Sequence, residues 1–331
     1  MSTNRRFDIL AMGNAIVDVI SSETPEFLSS RGIQHGCMRL IDATEAESLY
    51  AAMSPGREIG GGSAGNTVVG ARMLGACTAF VGRVAADRLG DSYISDMRAA
   101  GVHFETAPAT DGRPTGRCLI VVTPDGERTM NTYLGACQEL DAGDLNAELV
   151  KQSGILYLEG YLWDPPAPRA AMQAAIRVAR EAGNKVAFTL SDVFCVEGHR
   201  GDFIDLLTSH VDIMFGNENE VKSLYRTDNL EAAMAQLAHH SCITVVTRSE
   251  KGAVVIGGGQ HWEVPGEAVA RVVDTTGAGD LFAGGFMAAL VDGRALPDCA
   301  RVGCIAAAEV ISHFGARPEA DLKALVAAKL G

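Results

Sequence analysis

Ile155-Leu156-Tyr157-Leu158, then a helical pattern over residues 168–182, then Val186-Ala187-Phe188-Thr189-Leu190: this stretch decides the fold. An apolar run, an amphipathic helix and a second apolar run place two parallel strands in one sheet. Similar strand-like runs stand at 7–12, 78–81, 211–215 and 243–247, with a helix expected over 87–100. Short apolar runs alternating with amphipathic helices predict an α/β fold, Rossmann-like, with a mostly parallel sheet sandwiched by helices. Residues 277–330 read as nearly all helix, broken at 294–297 and 315–318.

Two segments leave this rhythm. Residues 15–59 hold short β-like pieces such as 37–41, and residues 112–136 read as a hairpin. In the hairpin, strands at 117–123 and 128–133 flank Pro124-Asp125-Gly126-Glu127, and Asp-Gly is a strong turn signal. Both predict a small β-structured lid built from two excursions of a single domain spanning 1–331. A lid of this kind closes over the carboxyl edge of the sheet, where open α/β sheets bind ligands.

With 41 acidic and 28 basic residues the net charge is −13, a field that repels nucleic acid and anionic lipid. The expected partner is a small molecule, and an anionic ligand needs a local holding device. The 37 glycines are not periodic and gather at strand-to-helix turns. None of the eight cysteines forms a Cys-x-x-Cys pair or stands at zinc spacing with a histidine. They read as reduced, mostly buried thiols, Cys77 within Gly75-Ala76-Cys77-Thr78-Ala79-Phe80 among them. Asp8 interrupts the apolar run after the basic Met1-Ser2-Thr3-Asn4-Arg5-Arg6, and no run approaches the roughly 18 apolar residues of a membrane span. The expectation is a cytoplasmic protein without a signal peptide.

The chemistry concentrates in Asp274-Thr275-Thr276-Gly277-Ala278-Gly279-Asp280, which follows an expected short strand at 271–273 and opens a long helix. Gly277, Ala278 and Gly279 at a helix N-terminus present free N–H groups, an anion hole that needs no lysine or arginine. Asp280, in the first turn, faces the bound anion. A carboxylate beside a phosphate is costly, yet it suits a base taking the proton of an attacking hydroxyl. A helix-stabilising aspartate explains Gly-Ala-Gly-Asp alone about as well. Upstream, Gly60-Gly61-Gly62-Ser63-Ala64-Gly65-Asn66 opens a helix, with Asn66 either on a sugar hydroxyl or capping a neighbouring loop. Asn217 and Glu220 share a helix face; they fit water-mediated magnesium binding or, alone, a capping box.

These segments, with Gly82-Arg83-Val84-Ala85-Ala86-Asp87-Arg88-Leu89-Gly90, resemble the ribokinase (PfkB-type) family of carbohydrate and nucleoside kinases over essentially the whole chain. The resemblance implies in-line transfer of the γ-phosphoryl of Mg·ATP, with Asp280 as base and Gly277, Ala278 and Gly279 as anion hole. It implies Asn217 and Glu220 for magnesium through water, and Thr247, Ser249 and Gly252 lining the ATP site, with Gly315 near the adenine. It also implies a monovalent-cation site, for K+, to which Asp274 and Thr276 contribute.

Within the family the chain looks most like the adenosine kinases, through Met12-Gly13-Asn14-Ala15-Ile16-Val17-Asp18, Leu190-Ser191-Asp192-Val193-Phe194 and Phe215-Gly216-Asn217-Glu218-Asn219-Glu220. That match puts Asn14, Asp18, Gly62, Ser63 and Asn66 on a ribose, and Leu40, Cys118, Leu134, Tyr161 and Phe194 around a purine. Leu134 fits equally as core of the small sheet. Thr276 departs from the animal adenosine kinases, which tend to have Asn there, and Asp-Thr-Thr-Gly-Ala-Gly-Asp is as common in sugar kinases. A kinase of ribose, fructose or a 2-keto-3-deoxy sugar acid therefore stays open, as does a silent nucleotide-binding module. Both a monomer and a homodimer fit the sequence.

Overall fold

The computed structural model describes residues 5–331; the first four residues of the basic N-terminal segment lie outside them. Fourteen strands follow in order: β1 (Phe7–Met12), β2 (Ile16–Ser22), β3 (Met38–Leu40), β4 (Arg57–Gly60), β5 (Thr78–Val81), β6 (His103–Phe104), β7 (Gly116–Val122), β8 (Arg128–Tyr133), β9 (Ser153–Glu159), β10 (Lys185–Thr189), β11 (Ile213–Asn217), β12 (Ile243–Thr247), β13 (Ala253–Gly257) and β14 (Gln260–Val264). Nine of them form one sheet in the order β14-β13-β12-β11-β10-β9-β1-β5-β6. It is parallel from β12 to β6; only the β12–β13 and β13–β14 pairings are antiparallel.

Both faces of this sheet are buried, which is why its strands read as unbroken apolar runs. Ile9, Ala11, Ile155, Tyr157 and Ala187 turn to one core with Phe282 and Phe286 of the helix Ala278–Val291. Leu10, Met12, Leu156, Leu158 and Phe188 turn to the other, with Met172 and Ile176 of the helix Pro166–Glu181. The helix expected over 87–100 runs Arg88–Ala99, and the Asp87 carboxylate accepts the Gly90 N–H to start it.

The other five strands make a second sheet, β3-β8-β7-β2-β4. Its β7–β8 hairpin turns at Thr123–Glu127, where Asp125 Oδ1 accepts the Thr123 hydroxyl at 2.6 Å and the Glu127 N–H at 3.2 Å.

Three expectations need correction. Residues 271–273 are not a strand: Val273 N–H donates to the Ile311 carbonyl beyond a helix end, with no neighbouring strand to pair with. The strand expected at 211–215 begins at Ile213, because Asp212 instead bonds the start of β10 and Arg180. Cys77 is exposed, at the turn into β5. All eight cysteines are free thiols. Among the described residues no helix is long and apolar enough to cross a membrane.

Candidate active site

Two helices meet at their N-termini to build the centre. Ser63–Met73 packs on Ala278–Val291 at glycine contacts: a Cβ on Gly70 would lie 2.4 Å from Leu281 Cδ1, and one on Gly284 2.5 Å from the Thr67 carbonyl oxygen. That close approach lets the first turn of one helix reach the first turn of the other. Ser63 Oγ donates to Asp280 Oδ1 at 2.6 Å, and Asn66 Nδ2 donates to Asp280 Oδ2 at 3.0 Å. Asn66 Oδ1 in turn accepts from Arg317 Nε at 2.9 Å. Enclosure by protein pushes the Asp280 pKa above the ordinary carboxylate value, against the pull of Ser63, Asn66 and Arg317.

Gly277 is left-handed (φ +81°) and caps the second helix. The N–H of Ala278 turns back to the Thr275 carbonyl at 3.2 Å, so it does not join the anion hole expected of it. Among the described residues the N–H groups of Gly277, Gly279 and Asp280 have no acceptor. A Cβ on Gly279 would meet nothing within 4 Å, so this side of the turn is open. Three free donors at a helix N-terminus, with room in front and a carboxylate beside them, can hold a phosphoryl group next to a base.

Asp18 of β2 lies against Gly61, where a Cβ would come 2.6 Å from Asp18 Oδ2. Burial raises the Asp18 pKa to about 6; Arg128 and Arg317 oppose the rise and Asp280 adds to it. Gly62 (φ +85°) ends this turn as the N-cap of Ser63–Met73. Asn14 is buried, and its N–H and Nδ2 both donate to Glu159 Oε1 at 2.8 Å, so its amide donors are turned inward. Glu159 Oε2 accepts the Ala64 N–H at 2.8 Å. Burial pushes the Glu159 carboxyl up to about 7. Glu159 thus ties the β1 exit to the start of the helix that carries Ser63 and Asn66.

The Tyr161 and Phe194 rings lie at a 43° tilt with centroids 5.9 Å apart; the Tyr161 hydroxyl donates to the Ser191 carbonyl, and Phe194 is 49% exposed. Leu40 on β3 is 60% exposed. Cys118 is buried beside Asp18 in the small sheet, accepting the Thr132 hydroxyl, and Leu134 is partly buried against the core. Of the five apolar positions expected around a base, Leu40 and Phe194 are exposed, Tyr161 and Leu134 are partly buried and Cys118 is buried.

Asn217 and Thr247 face each other at the ends of β11 and β12. Asn217 and Glu220 form a full capping box on the helix Glu218–Leu224, and burial raises Glu220 to about 7. Ser249 is left-handed (φ +52°), and Gly252 packs on the Val264 carbonyl. No group of three potential metal ligands occurs among the described residues. Magnesium fits here as an ion carried mainly by nucleotide phosphates and water with one carboxylate nearby, which is how it usually binds.

The monovalent cation does not fit. Asp274 Oδ1 accepts the Thr276 N–H at 3.0 Å and the Thr276 hydroxyl at 2.7 Å. Asp274 Oδ2 accepts the Gly315 N–H at 2.9 Å and a nitrogen of Arg128 from β8. The carboxylate is buried with every acceptor position engaged, and a guanidinium already supplies the positive charge. Gly315 is thereby fixed against the loop that leads to Gly277.

Sequence reading missed Glu159, Arg317 and Arg128. Glu159 stands one residue past an expected strand, where an acid at the carboxyl edge of a parallel sheet is a signal in hindsight. The two arginines act through partners 251 and 146 positions away, Asn66 and Asp274, and carry no local signal.

A nine-stranded α/β sheet, an enclosed carboxylate beside three free N–H groups and the family match below make this a phosphotransferase with an alcohol group as acceptor. The chain belongs to the pfkB family of carbohydrate kinases, matching its profile over residues 33–322. It is similar to a probable sugar kinase protein from Rhizobium etli CFN 42, 49% identical over 98% of both chains with a TM-score of 0.90. It is also similar to the adenosine kinase from Sinorhizobium meliloti, 46% identical over 98% of this chain and 99% of that one, TM-score 0.89. Adenosine kinase 1 of Arabidopsis thaliana is 30% identical over 93% of this chain and 94% of its own length. The fold is the ribokinase-like one of these kinases, and membership implies ATP as co-substrate, usually with magnesium.

Proposed function

We propose that the protein transfers the γ-phosphoryl of ATP to the 5′-hydroxyl of adenosine or another purine nucleoside. The acceptor oxygen attacks the γ-phosphorus, its proton passes to the Asp280 carboxylate, and the bond to the β–γ bridging oxygen breaks to release ADP. The N–H groups of Gly277, Gly279 and Asp280 take the charge of the transferring group. Asp18 accepts from the ribose hydroxyls, and Ser63 and Asn66 hold the base in line. Magnesium, when bound, neutralises phosphate charge, with Glu220 on its water shell. Thr247, Ser249 and Gly252 border the nucleotide.

The observation that carries the nucleoside reading is the Tyr161–Phe194 pair. A ring left 49% exposed, tilted at 43° against a second ring held by a hydrogen bond, offers an apolar aromatic surface that a free sugar does not need. The likeness to adenosine kinases points the same way. The likeness to a probable sugar kinase keeps ribose and fructose as the second reading. A coupled ADP-release assay across adenosine, guanosine, inosine, cytidine, ribose, fructose and 2-keto-3-deoxygluconate decides between them. A purine nucleoside is expected to give the highest kcat/KM. If ribose or fructose exceeds every nucleoside by about tenfold, the nucleoside reading is wrong.

A further inference from the structure

Arg317 lies in the loop between the helices Leu296–Val310 and Leu322–Leu330, with its side chain 14% exposed. Its Nε donates to Asn66 Oδ1 at 2.9 Å, and its Nη2 lies 3.4 Å from Met97 Sδ and 3.6 Å from Asp96 Oδ2. The same Asp96 oxygen accepts the Gly60 N–H at 3.2 Å, at the start of the glycine turn. The guanidinium is thus clamped from the helix Arg88–Ala99 and touches Asn66 from behind.

A carboxamide has a donor end and an acceptor end of nearly the same shape. Facing a carboxylate, only the NH2 end is favourable. Arg317 has donors alone, so it donates to the Oδ1 end of Asn66 and leaves the NH2 end facing Asp280. We propose that Arg317 is a positioning residue for phosphoryl transfer: it fixes the Asn66 amide so that the NH2 end of Asn66 donates to Asp280. The inference rests on reading Asp280 as the base.

The groups around Asp280 make the relay measurable. Ser63 and Asn66 face it from one helix and Arg317 from the C-terminal loop; all three favour the carboxylate. Asp18 from β2, Tyr157 and Glu159 from β9, and Tyr161 beyond it also feel its charge, and the two acids disfavour a second negative charge nearby. The Arg317 charge also favours the Asp280 carboxylate, and it reaches Asp280 through Asn66. Its loss moves the Asp280 titration to higher pH.

The test follows the Asp280 carboxyl by its own 13C signal in protein labelled at aspartate, identified as the signal absent from Asp280→Asn. In Arg317→Gln the midpoint is expected to rise by about half a pH unit or more, and in Arg317→Lys to return most of the way. With adenosine and ATP, kcat in Arg317→Gln should fall about tenfold or more while the ATP KM moves less than about threefold. An unmoved midpoint in Arg317→Gln overturns the proposal, whatever happens to activity, because loop packing alone explains a slower enzyme. Should Arg317→Gln fail to melt cooperatively, Asn66→Leu breaks the relay from the other end, and its midpoint must rise as well. The two readings fail separately. An active Asp280→Asn enzyme removes the base, whereas an inactive one combined with an unmoved Arg317→Gln midpoint removes only the relay.

Discussion

A carboxylate enclosed by protein is costly to keep unless its charge is used. Asp280→Asn keeps the size of the side chain and its place in the first helical turn, so folding should survive. It removes the group that accepts the hydroxyl proton, and loss of a general base costs roughly 10²–10⁴ in kcat. ATP binding by calorimetry should be unchanged or tighter, since a negative charge facing the γ-phosphate is gone. Retention of more than about a tenth of kcat, with chemistry limiting, would sink the role. The pH profile gives a second check. Burial raises the Asp280 pKa, and the base works only when ionised, so kcat/KM is full at higher pH and is lost as pH falls through that raised value. Its acid limb should therefore sit above the ordinary carboxylate range. Asp280 was legible because its motif carries a glycine turn and an acid together. Glu159 was not, because a single acid after a strand looks the same whether it meets solvent or three buried donors.

At the scale of elements, the N-terminus of Ala278–Val291 separates glycines needed for the fold from glycines needed for the ligand. Gly277 has φ +81°, and a Cβ there would lie 2.8 Å from Ala316 Cβ. Gly277→Ala should cost about 1–2 kcal/mol or more in urea unfolding, from strain and overlap together. Gly279 has an ordinary helical backbone and open space around its missing Cβ. Gly279→Ala should leave stability within about 0.5 kcal/mol of wild type or raise it slightly, since alanine favours a helix. The added methyl stands on the open side of the anion hole, so kcat/KM for ATP should fall about tenfold or more. Wild-type ATP kinetics in a stable Gly279→Ala protein would mean that the phosphoryl group lies elsewhere. The elements themselves were legible from the alternation of apolar runs and helices, as with β9, the helix Pro166–Glu181 and β10. The 271–273 segment misled because Arg271-Val272-Val273 has strand composition, and composition does not say whether a neighbouring strand exists to pair with.

For the whole molecule, the small sheet and the large one are held together at the active site by Arg128 and Asp274. Arg128 belongs to the hairpin strand β8, and Asp274 precedes the glycine turn of the anion hole. Any opening of the small sheet must break this buried pair, which leaves a carboxylate and a guanidinium to find water. The pairing makes two demands on the working enzyme. With Arg128 in place, Asp274 has no acceptor left for a metal, so exchanging K+ for tetramethylammonium at equal ionic strength should leave kcat within about twofold. If the small sheet is a lid, it opens locally and is steadied by the acceptor, because Asp18 sits in it while Gly277 and Gly279 do not. Amide hydrogen exchange in Arg128–Tyr133 should slow on adding adenosine and speed up in Arg128→Met, with the strands β9 and β10 unchanged as an internal reference. Equal exchange in all three states would make the small sheet a fixed wall. A K+ stimulation above about fivefold would show that Arg128 leaves Asp274 during turnover and that the carboxylate then takes a metal ion in its place.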